Sequence, residues 1–213
     1  MKTPIYFIFI LLVCLISCKQ KTKEPAIDID HIQSVIDKGK KSDIIERNMF
    51  AGFKIGMAEE QVDSNLHRLY AEGKVVNYGG RHGYITEPIQ DKMELSYYRL
   101  YDNDTIYYIR MYPTYCEGKL SGMTFIAECE EGNMTAEQIT DKLVALFKYA
   151  NSDRINEFES VGLTDGVCSY IKDNMWIVFF PQKNYPHGTM QFSNLPDSDK
   201  LEAEREKKND FRL

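Results

Sequence analysis

Met57-Ala58-Glu59-Glu60-Gln61-Val62 recurs, 77 positions on, as Met134-Thr135-Ala136-Glu137-Gln138-Ile139. The correspondence continues through Leu66 and Leu143, Leu69 and Leu146, and Tyr70 and Phe147, giving five identities in fourteen aligned positions. In both copies the apolar residues fall at helical spacing, which predicts two amphipathic helices. Thr135, with Gln138 three residues on, forms a capping box for the second helix. The first has Ala58 at that place, so its start is more weakly capped.

The segments after the two helices correspond as well. After the first come Ser96-Tyr97-Tyr98-Arg99, an Asp102-Asn103-Asp104 turn, and Thr105 to Tyr112 closed by Pro113. After the second come Ser169-Tyr170-Ile171-Lys172, an Asp173-Asn174 turn, and Met175 to Phe180 closed by Pro181. Aromatic and β-branched runs around turn residues predict hairpins. Further strands are expected at Leu120 to Glu128 and Thr189 to Ser193. The pattern predicts an α+β fold of two helix-plus-antiparallel-sheet units in tandem, 53–130 and 131–195, preceded by an N-terminal helix. That helix falls within 28–52, where Ile29, Ile32, Val35 and Ile36 share a face that Gly39 ends. Residues 196–213 carry Lys200/Glu204 and Glu204/Lys208 at helix-pair spacing and read as a charged, solvated tail.

The turn sets the register of the first hairpin. Two-residue and four-residue turns about Asn103-Asp104 both pair residues whose numbers sum to 207. Tyr98 then faces Ile109, Leu100 faces Tyr107, and Ser96 faces Met111, which makes a core face. On the other face Tyr97 opposes Arg110 and Arg99 opposes Tyr108, with Tyr101 and Tyr112 at the ends. Tyrosine and arginine are enriched at binding hot spots. They also stack on one another, each cross-strand pair contributing roughly 0.2–1 kcal/mol. Two uses fit these six residues: a face that takes a protein or a glycan, and a solvent face satisfied within itself.

Phe53-Lys54-Ile55-Gly56-Met57 followed by Glu60-Gln61-Val62 resembles the Gly-Met-x-x-x-x-Val helix start of two related groups. These are the β-lactamase-inhibitor-protein-like fold and the small outer-membrane-assembly lipoproteins. The resemblance covers Phe53 to Leu195. It implies tandem helix-plus-sheet units, a protein-binding sheet and no catalysis, and it does not imply inhibition of a β-lactamase.

The amino-terminal end carries an address. Lys2 supplies a positive start, and Ile5 through Ile16 form an apolar run of twelve residues. A hydrocarbon core of roughly 30 Å needs about 20, so the run fits a signal peptide, residues 1–17. Leu15-Ile16-Ser17-Cys18 resembles the lipobox of bacterial lipoproteins. By that resemblance the Cys18 thiol is diacylated and the chain is cut before it. Each buried CH2 is worth about 0.8 kcal/mol, so two or three chains hold a protein on a membrane without a spanning helix. Lys19 comes next, where lipoproteins retained in the inner membrane carry aspartate, so the resemblance implies the outer membrane. Residues 18–27 are polar, contain Pro25 and read as a tether.

The 196 residues from Cys18 onward hold 25 basic and 32 acidic side chains, a net charge of −7. Phosphate neutralisation supplies most nucleic-acid affinity, so nucleic acid is not expected as a partner. Three cysteines remain beyond Cys18. Cys116 is expected in the loop after Pro113, and Cys129 at the far end of the next strand. Ten or so extended residues span roughly 30 Å, against a limit of ~7 Å between bridged Cα atoms, so no Cys116–Cys129 bond is expected. Cys168 is left able to pair with either.

No nucleophile elbow, phosphate loop, zinc-protease helix or calcium loop occurs. His31, His67, His82 and His187 lack metal-ligand spacing, and nothing calls for a cofactor. Glu128, Glu130 and Glu131 read as a solvated loop. The sequence therefore points to an anchored protein-interaction module in the periplasm or at the cell surface. A glycan- or envelope-polymer-binding lipoprotein is the second reading. A small hydrolase using His82 of the Gly79-Gly80-Arg81-His82-Gly83 loop is the third.

Overall fold

The strands of this chain are long enough, and their apolar residues regular enough, to build one wide sheet. The computed structural model describes residues 28–77, 96–103, 105–162 and 167–210. Cys18, its tether and the His82 loop lie outside them. Helix α1 (Ile29–Lys40) comes first, then α2 (Glu59–Ala71) and strands β1 (Val75–Asn77), β2 (Ser96–Asp102), β3 (Thr105–Cys116) and β4 (Lys119–Cys129). Helix α3 (Ala136–Ala150) is next, then β5 (Glu159–Gly162), β6 (Cys168–Lys172), β7 (Met175–Pro181), β8 (Gly188–Asn194) and α4 (Ser198–Asp210). The architecture is mixed α+β, and the sheet order is β1-β2-β3-β4-β8-β7-β6-β5. Every neighbouring pair is antiparallel.

Local chemistry explains the elements. Thr135 Oγ1 accepts from the Gln138 amide, and Gln138 Oε1 accepts from the Thr135 amide, closing the capping box of α3. At α2 only the return half exists, Gln61 Oε1 accepting from the Ala58 amide, because alanine has no side-chain oxygen. β2 and β3 pair as the turn predicts, from Tyr97 with Arg110 to Asp102 with Thr105. Asn103 (φ 53°) turns that hairpin and Asp173 (φ 52°) turns the next, residue types that tolerate left-handed backbone.

One expectation is corrected here. β3 does not stop at Pro113 but runs on to Cys116, so Cys116 sits on a strand and pairs with Lys119. The β2 ladder ends at Arg110, so Pro113 lies where β3 is paired on one side only among the described residues. A missing N–H is tolerated there.

Both α2 and α3 cover one face of the sheet. Val62, Leu66 and Leu69 from α2 and Ile139, Leu143 and Phe147 from α3 meet Ile109, Met111, Phe125, Ile177, Phe179 and Met190 in one continuous cluster. Burying each such side chain is worth roughly 1.5–3 kcal/mol. Gly188 lets α3 come down onto β8: a Cβ there would stand 2.8 Å from the Thr140 amide nitrogen and 2.9 Å from Ile139 Cγ2. α1 packs on the opposite face at the far end, where Val35, Ile32 and Ile36 meet Val161, Ile171 and Leu195. Ile29, assigned to that face in the sequence, is 72% exposed. Gly39 does not end α1 but lies inside it, buried against Leu195 and the Asp173 carbonyl.

Cys116, Cys129 and Cys168 are free. Cys116 and Cys129 stand at opposite ends of the β3–β4 ladder. Cys168 on β6 is three strands from β4 and four from β3. At about 4.8 Å per strand the nearer is already ~14 Å away, so neither pairing left open by the sequence is met.

A buried ionic cluster ties the segment after α1 to the β5–β7 end. Glu46, 8% exposed, meets Arg154 and, at 3.2 Å, Lys172, which also binds Glu157. The Glu46 amide donates to Asn174 Oδ1 at 2.6 Å. Burial pushes the Glu46 carboxyl up, but the Asn48 amide, Arg154 and Lys172 outweigh it, and the group is held below the usual carboxylate range. A depressed carboxyl stabilises the fold fully above its unfolded pKa, and that stability is lost as pH falls through the folded value. Glu46→Gln is therefore expected to cost about 2 kcal/mol at pH 7 in urea denaturation. This is below the roughly 3–5 kcal/mol of a fully buried pair because Arg154 keeps 28% of its side chain in solvent. The difference from the parent should close as the pH is lowered below the ordinary carboxylate value. A gap that stayed constant to acid pH would remove the cluster from the stability of the fold.

Candidate binding face

The alternation of a strand sends every second side chain away from α2 and α3. On that side β2 contributes Tyr97, Arg99 and Tyr101, and β3 contributes Tyr108, Arg110 and Tyr112. The ladder carries the surface onward from Tyr112 to Thr124 on β4, Gln191 on β8 and Val178 on β7. All six residues singled out in the sequence thus share one face, but their states differ.

Tyr97 and Tyr108 are buried, at 3% and 8% exposure, and their rings meet edge to face with centroids 6.3 Å apart. Tyr108 Oη donates to Glu130 Oε1 at 2.9 Å. Arg99 is half-buried: its Nη2 donates to the Gly73 carbonyl at 2.7 Å, just past the end of α2, and its guanidinium lies 5.9 Å from the Tyr101 ring. These contacts belong to a face that satisfies itself. Tyr101 is 57% exposed at the hairpin end, and Tyr112 is half-buried.

Arg110 differs from Arg99. Like Arg99 it is half-buried with its Nε buried and unpartnered, but no hydrogen bond or ion pair to a described residue holds the rest of its guanidinium. Its Nη groups have no acceptor among the described residues, so an acceptor brought by a partner would meet unused donors.

The face continues into a polar cleft of about 420 Å3 beside α4, lined by Thr114, Gln191, Ser193, Asn194, Ser198 and Glu202. Ser121 also lines it, with its hydroxyl buried and unpartnered. At the other end Glu128, at the end of the expected strand but also read as solvated, lies on β4 and meets His187 Nε2 at 3.1 Å. The sequence missed Thr124, Gln191, Ser193 and the Glu128–His187 pair. The outward positions Thr124, Ile126 and Glu128 alternate with Met123, Phe125 and Ala127, but Ile126 hides the polar half of the pattern. Among the described residues, no group of three or more metal-binding side chains comes together.

Tyr108→Phe removes only the hydroxyl that reaches Glu130. The expected loss is about 1 kcal/mol, read as a lower urea midpoint with an unchanged slope. An unshifted midpoint would show that this hydroxyl does nothing for the fold.

No described helix is long and apolar enough to cross a membrane. Comparisons with protein-family models, with curated proteins and with solved structures find no match to this chain.

Proposed function

We propose that this chain is a lipoprotein of the bacterial envelope, anchored to the outer membrane through lipid on Cys18, that works as a protein-interaction module. Arg110 carries the reading: a half-buried guanidinium without a counter-ion among the described residues, set among tyrosines on an open sheet face, suits an acidic partner group. Tyr112 stands next to it on that face of β3 and Tyr101 is exposed at the hairpin end, while Arg99, Tyr97 and Tyr108 hold the platform in shape. The partner is a protein with a carboxylate or carbonyl cluster presented to that face. Two helix-plus-sheet units in tandem, with α1 docked in front, suit this use. Among the described residues the order helix then four strands occurs twice, and the fourth strand of each run meets at the centre of the sheet.

A photoreactive residue placed at Tyr112 or Gln191 in living cells tests the reading. A protein adduct of defined mass is expected from both sites, lost on Arg110→Ala, and not from Lys148 on the helix side. Protein adducts from Lys148 alone would overturn it. Arg110→Ala should leave the melting temperature nearly unchanged, since no described ion pair is lost. Arg99→Ala is the poorer probe, because it also strips the contact to Gly73.

The second reading, a glycan- or envelope-polymer-binding lipoprotein, is favoured by one observation. The 420 Å3 cleft offers hydroxyl and amide groups, including the unpartnered Ser121 hydroxyl, beside the same face. Adducts of polymer in place of protein at Gln191 would select it. The hydrolase reading rests on His82, outside the described residues, and gains no support from the face.

The anchor has its own test. Cys18→Ser is expected to move the chain from the membrane to the soluble fraction, with loss of metabolic labelling by a fatty-acid analogue. Labelling that survives the substitution would place the lipid elsewhere.

A further inference from the structure

On the opposite side of the sheet a cavity of about 260 Å3 lies between α3 and the segment before α2. Its floor is Ile177, Met190 and Phe192, and α3 supplies Leu143, Leu146 and Phe147. Native cores seldom keep voids much larger than a water molecule, and an apolar cavity of roughly 150 Å3 already stays dry and takes up benzene. This one is larger and is open to the surface.

The lining narrows the choice of occupant. Apart from Asn48, Asn151 and Arg154, every residue around this open channel is apolar, from Leu100 on β2 to Ile177 on β7 and Phe158 beside β5. Such a lining suits an aliphatic occupant.

The opposite wall is built, not slack. Ala51 holds a left-handed conformation (φ 57°), and its carbonyl accepts from Asn65 Nδ2 at 3.1 Å. The Met49 amide donates to the Phe53 carbonyl at 2.9 Å, and the Phe50 ring is wedged edge-on against Tyr98 and Phe125. A strained non-glycine residue held by a buried amide is a feature that clusters at ligand sites.

One end is polar. Asn48, Asn151 and Arg154 line it, and Arg154 Nε is buried with no hydrogen-bond partner. The other side of that guanidinium is taken by Glu46. Amide and guanidinium groups beside an apolar lining suit a small acceptor on the end of an aliphatic chain.

We infer that this channel binds a single saturated acyl chain, with its carboxyl or ester carbonyl oxygen at the polar side formed by Asn48, Asn151 and Arg154. The ligand chemistry is shared by a free fatty acid and by the acyl arm of an esterified lipid. The site is independent of the tyrosine–arginine face.

Isothermal titration of the full chain carrying Cys18→Ser, with hexanoate, octanoate and decanoate below their micelle concentrations, tests it. Affinity should rise about four-fold per added methylene, the equivalent of 0.8 kcal/mol per CH2, until the chain outgrows the cavity. Ala150→Trp, on the exposed helix surface at the channel mouth, should lower decanoate affinity at least ten-fold with the melting temperature unchanged. Arg154→Lys keeps a charge opposite Glu46 but removes the guanidinium from the polar side of the lining, and should weaken decanoate several-fold while leaving decane uptake unaltered. Monodecanoylglycerol separates the sources: binding of decanoate alone assigns a free fatty acid, and binding of both admits the esterified arm. Arg110→Ala should change none of these values. No heat with decanoate, or binding indifferent to Ala150→Trp, overturns the inference.

Discussion

The structure depends on one seam. Residues 122–127 of β4 pair antiparallel with residues 188–193 of β8, six pairs from Gly122–Ser193 to Ala127–Gly188. Without them the sheet would be two four-stranded pieces, each with one helix and a half-open core. With them Met123 and Phe125 stand beside Phe192 and Met190, and the two helices share one apolar cluster. Glycine at both ends of the seam is part of the same constraint. A Cβ on Gly122 would meet the Phe192 carbonyl at 2.6 Å, and one on Gly188 would meet α3.

The seam also fixes where the two candidate surfaces lie. It continues the hairpin face across β4 and β8, so that Arg110 and Tyr112 look onto the same side as Gln191 and Ser193. On the reverse side it forms the floor of the apolar channel, because Met190 and Phe192 turn inward from β8. One run of residues, alternating across the pleat, thereby supplies a polar platform and an oily trough.

Local chemistry was legible in the sequence. The Asn103 turn dictated the β2–β3 register residue by residue, and the Thr135–Gln138 box marked the start of α3. Non-local chemistry was not. Nothing in Leu120 to Glu128 names β8 as its neighbour, since alternation specifies a face and leaves the partner strand open. For the same reason Tyr97 and Tyr108 could be placed on a face but not seen to be buried there. The short strands β1 and β5 went unread because three or four residues give no periodicity to detect. Of the candidate residues, the hairpin six were readable because tyrosine and arginine alternate. The channel was invisible, because it is a distance between layers and leaves no pattern in the chain.

Those two short strands have a consequence of their own. They are the outermost members of the described sheet, and an open sheet invites other chains to add to its rim. Among the described residues these edges are three and four residues long, too few backbone groups to hold a foreign strand in register. β5 is also flanked by α1, whose His31 meets Glu159 on the strand at 3.2 Å. Such blunt rims keep neighbouring copies from zipping together into a continuous ribbon.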